Sequence, residues 1–376
     1  MSELVENNPK ANPQIDSEGQ VYLSSQWQLM WLRFKKHKLA MFGILVLATI
    51  YMMGIFCEFV SPYDPYTFDR RYVNVPPQRP RFFSDEGFHL RPFVYGLERQ
   101  RDPETLRISY TIDRSQKYPL YFFVRGEPYK FWGLWDTDIR LFGVEEGHVY
   151  LFGTDHLGRD MFSRIMYGAR ISTSIGLLGV ILSFVLGVCI GGISGYVGGV
   201  VDDVIQRVIE FIRSLPTIPL WMGLAAAIPA DWPLIKTYFA ITLVLSLIGW
   251  SGLAREVRSK FISLREEDFV LSARLIGASE VRVIFGHMIP SFISHIIASL
   301  TLAIPGMILA ETSLSYLGLG LRPPAISWGV LLQLAQNVRT IAFTPWLLLP
   351  GLFVIITVLS FNFVGDALRD AADPYV

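Results

Sequence analysis

Long apolar stretches constrain the fold of this chain more than any other feature. Six of them, each about 19–29 residues long, can cross a hydrocarbon core of about 30 Å as a helix. Lipid offers the backbone no hydrogen-bond partners, so a spanning helix satisfies its own polar groups. The six predicted spans cover roughly residues 39–60, 171–195, 204–230, 236–254, 285–313 and 346–365. The sequence therefore predicts an all-α integral membrane protein with six transmembrane helices.

Composition supports this class and disfavours others. Of the 376 residues, 51% are hydrophobic and 18% are charged, whereas about a quarter are charged in soluble domains. The 33 basic and 33 acidic residues balance, which argues against a nucleic-acid partner. Cys57 and Cys189 lie in apolar stretches, so we interpret them as core residues and predict no metal site. Gly187, Gly191 and Gly195 recur at a spacing of four, which permits close helix packing.

The third stretch is the least regular, because Glu210, Arg213, Pro216 and Pro219 interrupt it. Such residues are tolerated in a membrane when they face a bundle interior or a water-filled cavity. Glu210 and Arg213 are three residues apart on one helix face, which favours a mutual ion pair. Their position within a span equally supports a role in a pathway across the membrane, and the same two alternatives hold for Glu311 in the fifth span. These three residues are our pore candidates.

Basic residues beside the spans predict the orientation of the chain. The basic cluster at 33–38 places the N-terminus in the cytoplasm, and an even number of spans returns the C-terminus there. Residues 255–284 then form a cytoplasmic loop with six basic side chains, whereas the opposite connection, 231–235, has no lysine or arginine. The predicted topology is therefore consistent with the distribution of charge.

Residues 61–165 separate the first two spans and lie outside the cytoplasm in this topology. Their first part, 61–150, holds nine of the 22 prolines, 13 basic and 13 acidic side chains, and aromatic runs such as Tyr121-Phe122-Phe123-Val124. This pattern favours a small, partly β module, and an irregular loop packed on the channel mouth is the alternative. The predicted divisions are a cytoplasmic segment 1–38, a first span 39–60, an insertion 61–165 and a core 166–376 with five spans.

The cytoplasmic loop contains a motif of helix, turn and helix. The residues from Phe269 onward have a helical pattern, with Phe269, Ala273 and Ile276 on one face. Gly277 then stands where a helix ends in a left-handed residue, and Ser279 is a suitable N-cap for a second helix. The second helix leads into the fifth span. A protruding element of this shape would suit the docking of a separate soluble motor protein.

This loop resembles a motif in the permease subunits of ATP-binding-cassette importers, in which a Glu-Ala-Ala triplet is followed by glycine and then by proline. Ala273, Gly277, Ile289 and Pro290 fit the pattern. The triplet itself is Leu271-Ser272-Ala273, so its glutamate is missing. The resemblance implies that ATPase subunits dock here. The residues that it assigns to coupling are Phe269, Ala273, Arg274, Gly277, Ala278, Ser279 and Pro290.

Four other stretches resemble dipeptide and oligopeptide permeases in particular. They are Gly153-Thr154-Asp155-His156-Leu157-Gly158-Arg159-Asp160, Gly195-Tyr196-Val197-Gly198-Gly199 with Asp202, Leu317–Pro324 leading to Ser327-Trp328-Gly329, and Phe361–Asp370 with Asp373-Pro374. The resemblance covers most of 25–65 and nearly all of 151–376. Residues 66–150 make a longer segment than this family leads us to expect.

The first of these stretches supplies the candidates for an outer gate or family signature. They are Gly153, Thr154, Asp155, Gly158, Arg159 and Asp160. Polar side chains near a pore entrance often pair across it, which is the gate hypothesis. The alternative is that these charges only cap the helix that enters the membrane.

The resemblance implies the transmembrane permease subunit of an ATP-driven importer in the bacterial inner membrane. It implies as partners a second homologous permease subunit, two ATP-binding-cassette ATPase subunits and an extracytoplasmic solute-binding protein. The phosphate loop Gly-x-x-x-x-Gly-Lys-Ser/Thr is absent from the sequence. We therefore expect ATP and Mg²⁺ in the partner subunits, and no cofactor or catalytic residue in this chain.

Short peptides are the substrates that the resemblance favours, and oligosaccharides, opines or nickel are alternatives within the same architecture. A hypothesis of another class is an ion-coupled secondary transporter, which would need no ATPase. A third is a membrane-anchored enzyme with its chemistry in residues 61–150. That segment has no cysteine and only two histidines, His89 and His148, which disfavours the enzyme.

Overall fold

The computed structural model describes residues 26–85, 87–101, 103–104, 108–337 and 342–372. All six predicted spans lie within these ranges. Most of the predicted segment 1–38, and the Asp373-Pro374 pair of the C-terminal motif, lie outside the described residues.

Helices form the membrane-spanning part of the chain. Among the described residues, five helical segments are long and apolar enough to cross a membrane, and a bent pair of helices is a sixth candidate. In chain order the helices are α1 (Gln26–Lys36), α2 (Lys38–Ile55), α3 (Cys57–Val60), α4 (Met161–Val197), α5 (Gly199–Ser214), α6 (Thr217–Ala226), α7 (Leu234–Leu264), α8 (Asp268–Leu275), α9 (Glu280–Val283), α10 (Ile289–Ser291), α11 (Ile293–Tyr316), α12 (Trp328–Gln333) and α13 (Leu349–Ala372). The predicted membrane fold is confirmed.

The third predicted span, 204–230, is two helices and not one. Helices α5 and α6 form the bent pair and meet at an angle of 88°. A proline disfavours helical backbone at the residue before it, and Leu215 before Pro216 is extended, with φ −83° and ψ 139°. The chain therefore turns at this point, and the span is continuous only if both helices are counted together.

Several helices begin or end at other residues than the apolar stretches predict. Helix α4 begins at Met161 and α7 runs to Leu264, so both are longer than predicted. The first span bends at Phe56, between α2 and α3, and the fifth begins as the π-helix Ile284–Met288 before α10 and α11. Hydropathy reports only the part of a helix that faces lipid, whereas its ends depend on caps and packing.

The segment between α3 and α4 contains five strands in two antiparallel sheets. β1 (Arg81–Ser84), β2 (Gly87–Arg101) and β3 (Ile108–Pro119) form one sheet in that order, and β4 (Tyr121–Phe131) pairs with β5 (Trp135–Gly143). The predicted partly β insertion is confirmed, and the irregular loop is excluded. We name the side of the membrane that carries these strands the insertion side, and the side that carries α8 the loop side.

Helix α4 is the centre of the helical core and packs along α7, with further contacts to α2 and α11. Glycines form the contact with α7. A Cβ atom on Gly191 would lie 2.3 Å from the carbonyl oxygen of Ala254, and one on Gly195 would lie 2.6 Å from that of Arg258. Only glycine fits at these distances, which confirms the predicted packing role of the four-residue spacing.

We expect Gly191→Ala to destabilise the protein by about 1–3 kcal/mol, because the new methyl group meets the backbone of α7 and forces the two helices apart. Gly306→Ala is the matched control, since a Cβ there meets nothing within 4 Å. In the control, the better helix propensity of alanine should leave stability equal or raise it by up to about 1 kcal/mol. Thermal unfolding of the purified protein in detergent measures both. Equal unfolding midpoints for the two variants would contradict the close packing.

Candidate functional site

The carboxylate of Asp155 organises the stretch 153–160. It is fully buried, and its Oδ1 accepts hydrogen bonds from the backbone N–H groups of Leu157 (2.9 Å) and Arg159 (3.0 Å). Its Oδ2 accepts from Nε of Arg159 (2.8 Å) and from the buried guanidinium of Arg164 in α4. One carboxylate therefore closes the loop and pairs with two guanidinium groups.

The same stretch is bound to the chain segment that precedes the strands. Gly153 and Gly158 both have positive φ, and a Cβ on them would lie 2.5 Å from the carbonyl oxygen of Val75 and 2.0 Å from that of Asp69. The Thr154 hydroxyl accepts a hydrogen bond from the Val75 N–H group (2.8 Å). The glycines are thus required by backbone conformation and by close approach.

Asp160 caps the N-terminus of α4. Its Oδ2 accepts hydrogen bonds from the N–H group (2.7 Å) and the hydroxyl (2.6 Å) of Ser163. Its Oδ1 is buried without a hydrogen-bond partner among the described residues. Burial raises the pKa of this carboxyl from 3.8 to about 6. The structure thus brings the six candidates of this stretch together at the start of a span in a capping arrangement, and a gating role stays a prediction.

The turn after α8 has the backbone that the sequence predicts. Gly277 has a φ of +83°, and its N–H group donates to the carbonyl of Arg274 (3.0 Å). The N–H group of Ala278 donates to the carbonyl of Ala273 (3.0 Å), as in other helices that end in a left-handed glycine. Ser279 precedes α9 as its N-cap residue, but its side chain forms no capping hydrogen bond. The glycine turn is confirmed, and the cap is made by backbone alone.

Helix α8 does not present the face that the sequence analysis describes. Ala273 is only 5% exposed and belongs to a core cluster with Val270 and Phe261, whereas Ile276 is 86% exposed. Ala273 therefore faces the body of the protein and not a free surface. The expectation that Phe269, Ala273 and Ile276 share one helix face is wrong, because Ile276 lies beyond the last residue of α8. The exposed apolar side chains at the end of α8 are Leu271, Leu275 and Ile276.

Two further coupling candidates link the loop to the spans. The guanidinium of Arg274 lies 5.0 Å from the ring centre of Tyr196, near the end of α4, which is a cation–π geometry. Pro290 lies in α10, at the start of the fifth span. Phe269 is partly exposed on α8. The loop therefore contacts α4 directly through Arg274.

The three pore candidates lie on two helices, with Glu210 and Arg213 on α5 and Glu311 on α11. Glu210 forms an ion pair with Arg207 (2.9 Å) and not the expected pair with Arg213, which faces Gly252 of α7. Glu311 is fully buried, and its carboxylate accepts hydrogen bonds from the hydroxyls of Ser172 (2.9 Å) and Ser315 (2.8 Å). In this conformation Glu311 joins α4 to α11 and lines no open cavity.

Two ion pairs that the sequence analysis missed join distant helices. On the insertion side, Glu58 of α3 pairs with Arg170 of α4 through two hydrogen bonds of 2.6 and 2.5 Å. On the loop side, Asp202 of α5 pairs with Arg258 of α7 through two of 2.6 and 2.5 Å. Each charge lies in or beside an apolar stretch, which is a signal that the sequence provides. The partner of each charge depends on the tertiary fold.

An open cavity of about 390 Å³ lies between α4, α7, α11 and α13. Ionisable groups from three of these helices line it, namely Glu256, His295 and Arg369. The Glu256 carboxylate accepts a hydrogen bond from the Ser299 hydroxyl (2.9 Å). Of these three residues, His295 lies within a predicted span, whereas Glu256 and Arg369 lie just beyond the ends of theirs. Most of the other lining residues are apolar, and we name this space the core cavity.

Comparison with known proteins identifies the architecture. Residues 187–376 match the family of binding-protein-dependent transport system inner membrane components, and residues 25–77 match the N-terminal transmembrane domain of oligopeptide transport permease C. The oligopeptide transport system permease protein OppC of Bacillus subtilis is 30% identical over 351 residues, which cover 93% of this chain and 90% of that protein. The chain belongs to this permease family.

A second relative agrees with this assignment. The dipeptide transport system permease protein DppC of Bacillus subtilis is 30% identical over 369 residues, or 98% of this chain and 91% of that protein. Among solved structures, the MetNI methionine ABC transporter in an inward-facing conformation is 16% identical, with a TM-score of 0.43, over 57% of this chain and 98% of that one. The predicted resemblance to dipeptide and oligopeptide permeases is confirmed.

This permease is accordingly a multi-pass inner-membrane protein and a channel subunit of an ABC transporter. Strands β1–β5 of the permease lie between the two matched regions. The C-terminal match includes the Asp202–Arg258 pair, the turn at Gly277 and most of the residues that line the core cavity. The two matched regions together thus include the helices that carry the candidate site, except for the first part of α4, which lies between them.

Asp160→Asn should change how stability depends on pH. A raised pKa means that the contribution of Asp160 to stability is complete below 3.8 and is lost as pH rises through about 6. Asparagine is also a good N-cap and does not ionise. As pH rises from 4 to 8, the free energy of unfolding of the variant should therefore increase by up to about 3 kcal/mol relative to that of the natural protein.

Thermal unfolding across this pH range measures the difference between the two proteins. Asp69→Asn is the control, since a hydrogen bond from the Arg71 side chain lowers the pKa of Asp69 below its usual 3.8. Its carboxylate is therefore ionised almost throughout this range, and the stability of this variant should run nearly parallel to that of the natural protein. Parallel pH profiles for the natural protein and Asp160→Asn would contradict the buried, ionisable cap.

Proposed function

We propose that this permease subunit carries short peptides across the inner membrane, as part of an ATP-driven importer that receives them from an extracytoplasmic solute-binding protein. The observation that carries the proposal is the similarity over at least nine-tenths of both chains to an oligopeptide and a dipeptide permease. Oligosaccharides, opines and nickel remain the alternative cargoes of the same architecture.

The complete importer in this proposal contains a second homologous permease subunit and two ATPase subunits that bind ATP and Mg²⁺. This chain contributes no catalytic residue or cofactor. Both of its termini and the loop side lie in the cytoplasm, and the insertion side faces outward. The basic residues of the 255–284 loop support this orientation.

The end of α8 is the proposed docking element for an ATPase subunit. Leu275 and Ile276 are 87% and 86% exposed, and apolar side chains with such exposure favour a protein partner. Movement of α8 would reach α4 through the contact between Arg274 and Tyr196. Asp202, beside the end of α4, is in turn paired with Arg258 of α7.

The core cavity, with its few charged groups, is the proposed route of the peptide past this subunit. A short peptide with free ends carries an ammonium and a carboxylate group. Glu256 and Arg369 place both complementary charges in one cavity, which would lower the cost of moving a doubly charged substrate through the membrane. ATP-driven movement of the helices would open this cavity alternately to each side.

Uptake of labelled short peptides tests the proposed cargo. Proteoliposomes that contain the importer purified with its native partners should take up dipeptides or oligopeptides only when the binding protein and ATP are both present. The same vesicles should not take up an oligosaccharide, an opine or Ni²⁺. Uptake of one of these solutes and not of peptide would show that the proposed substrate is wrong. Uptake that needs an ion gradient and no ATP would contradict the proposal of an ATP-driven importer.

Gly277→Val should uncouple the transporter without preventing membrane insertion. Valine at a φ of +83° costs about 1 kcal/mol or more in backbone strain, so the end of α8 should change position. Gly277→Asn is the control, because asparagine tolerates left-handed backbone. We expect valine to reduce ATPase co-purification and peptide uptake together, and asparagine to preserve most of both.

Leu275→Glu tests the same surface without changing the backbone and should also weaken ATPase co-purification. Its matched control is Leu90→Glu, on β2, which is 86% exposed compared with 87% for Leu275. That control should keep the ATPase subunits. Full ATPase association in both Gly277→Val and Leu275→Glu would show that α8 is not the docking element.

A further inference from the structure

The turn between β4 and β5 carries large apolar side chains that the insertion itself does not cover. Trp132 is 52% exposed, Leu134 71% and Trp135 64%. The turn is tight, with positive φ at Trp132 (52°) and Gly133 (71°) and a hydrogen bond from the Leu134 N–H group to the Phe131 carbonyl (3.0 Å). A bulky residue such as tryptophan rarely adopts positive φ. The conformation of the turn therefore fixes the position of the Trp132 side chain.

The Trp132 side chain lies against the end of α2, in the first predicted span. The indole N–H group of Trp132 donates a hydrogen bond to the carbonyl of Ile55 (3.0 Å), which is the last residue of α2. The Phe131 ring stacks on Phe56 with 5.8 Å between ring centres. The guanidinium of Arg170 lies 4.7 Å from the ring centre of Trp132. The turn therefore packs against the end of α2, a helix long and apolar enough to cross the membrane.

An apolar groove of about 530 Å³ runs along α2 beside this turn. It is lined by Ala48, Thr49, Met52, Met53, Phe56, Phe59 and Val60. Thr49 is the only polar residue among them, and its hydroxyl is already bonded to the carbonyl of Leu45 (2.8 Å). The groove therefore offers no polar group to water or to a polar ligand. It continues the exposed face of α2, on which Leu45 and Met52 lie seven residues apart.

We propose that the β4–β5 turn lies in the headgroup region of the leaflet on the insertion side, and that a phospholipid acyl chain of that leaflet occupies the groove. Tryptophan is enriched at this depth because its ring is apolar and its N–H group is polar. Leu134 and Trp135 then face the upper part of the acyl chains. The insertion is held at the membrane surface by this turn as well as by its covalent links to α3 and α4.

The position of the groove favours lipid over a protein partner. It lies on the exposed side of α2, while the opposite side of this helix packs on α4 and α13 of the same chain. The groove also lacks the hydrogen-bonding rim that is typical of protein interfaces. A second permease subunit that covers the groove is the alternative, and the experiment below separates the two.

Site-directed spin labelling of the full chain tests the proposal. The protein is purified with its native partner subunits and reconstituted in vesicles of phosphatidylethanolamine and phosphatidylglycerol. Cys189→Ala provides the background, since Cys57 is completely buried and not available for labelling. Nitroxides are placed by Leu134→Cys at the turn, by Met52→Cys in the groove and by Leu90→Cys on β2 as the control. All three positions are exposed, so the labels should not disturb the fold.

Collision rates with oxygen, which concentrates in lipid, and with a water-soluble nickel chelate report the depth of each label. We expect the logarithm of the oxygen-to-nickel ratio to be positive at positions 134 and 52 and negative at position 90. A label at 134 as accessible to nickel as the label at 90 would place the turn in water and overturn the proposal. A label at 52 that is shielded from both reagents would show that protein, and not lipid, covers the groove.

Discussion

Charged groups at the borders of a membrane need partners of opposite charge within the protein, and the placement of the helices in this structure depends on such ion pairs. Three carboxylates that lie in or beside apolar stretches each pair with a guanidinium on another segment. The pairs are Asp155 with Arg164, Glu58 with Arg170, and Asp202 with Arg258. For Asp155–Arg164, which is buried on both sides, loss of one partner would cost about 3–5 kcal/mol because the remaining charge is left without compensation. These pairs therefore fix how α3, α4, α5 and α7 are placed relative to one another.

The two sides of the membrane differ in how firmly the chain is held. On the insertion side, the buried guanidinium of Arg140 in β5 donates to the carbonyl of Ser61 (2.7 Å), and Trp346 donates to the carbonyl of Thr154 (2.8 Å). These bonds tie the strands and the last span to the start of α4. On the loop side, the end of α8 is largely exposed, and Arg274 is its polar link to α4. This asymmetry is consistent with the proposed docking of an ATPase subunit at the end of α8.

The spans and the β insertion could be predicted from the sequence because their signals are local. The apolar residues of a stretch themselves determine its contact with lipid, and the glycine at position 277 itself favours the left-handed backbone conformation found there. Other features depend on which segments meet. Glu210 has a basic residue three positions away on either side, and the sequence does not distinguish Arg207 from Arg213. The burial of Ala273 likewise depends on Phe261, which belongs to another helix.

The same logic separates structural from functional charges in the core. Glu311 lies within the fifth predicted span, whereas Glu256 lies two residues beyond the fourth, where α7 continues into the predicted loop. The carboxylate of Glu311 is fully buried and accepts hydrogen bonds from two serine hydroxyls. Ser172, one of those serines, also accepts a hydrogen bond from the backbone of Trp328 (3.1 Å). Glu311 therefore stabilises the packing of α4, α11 and α12, whereas Glu256 is exposed on a cavity. At the loop-side end of α7 an exposed charge needs contact with water, which the open cavity beside Glu256 provides.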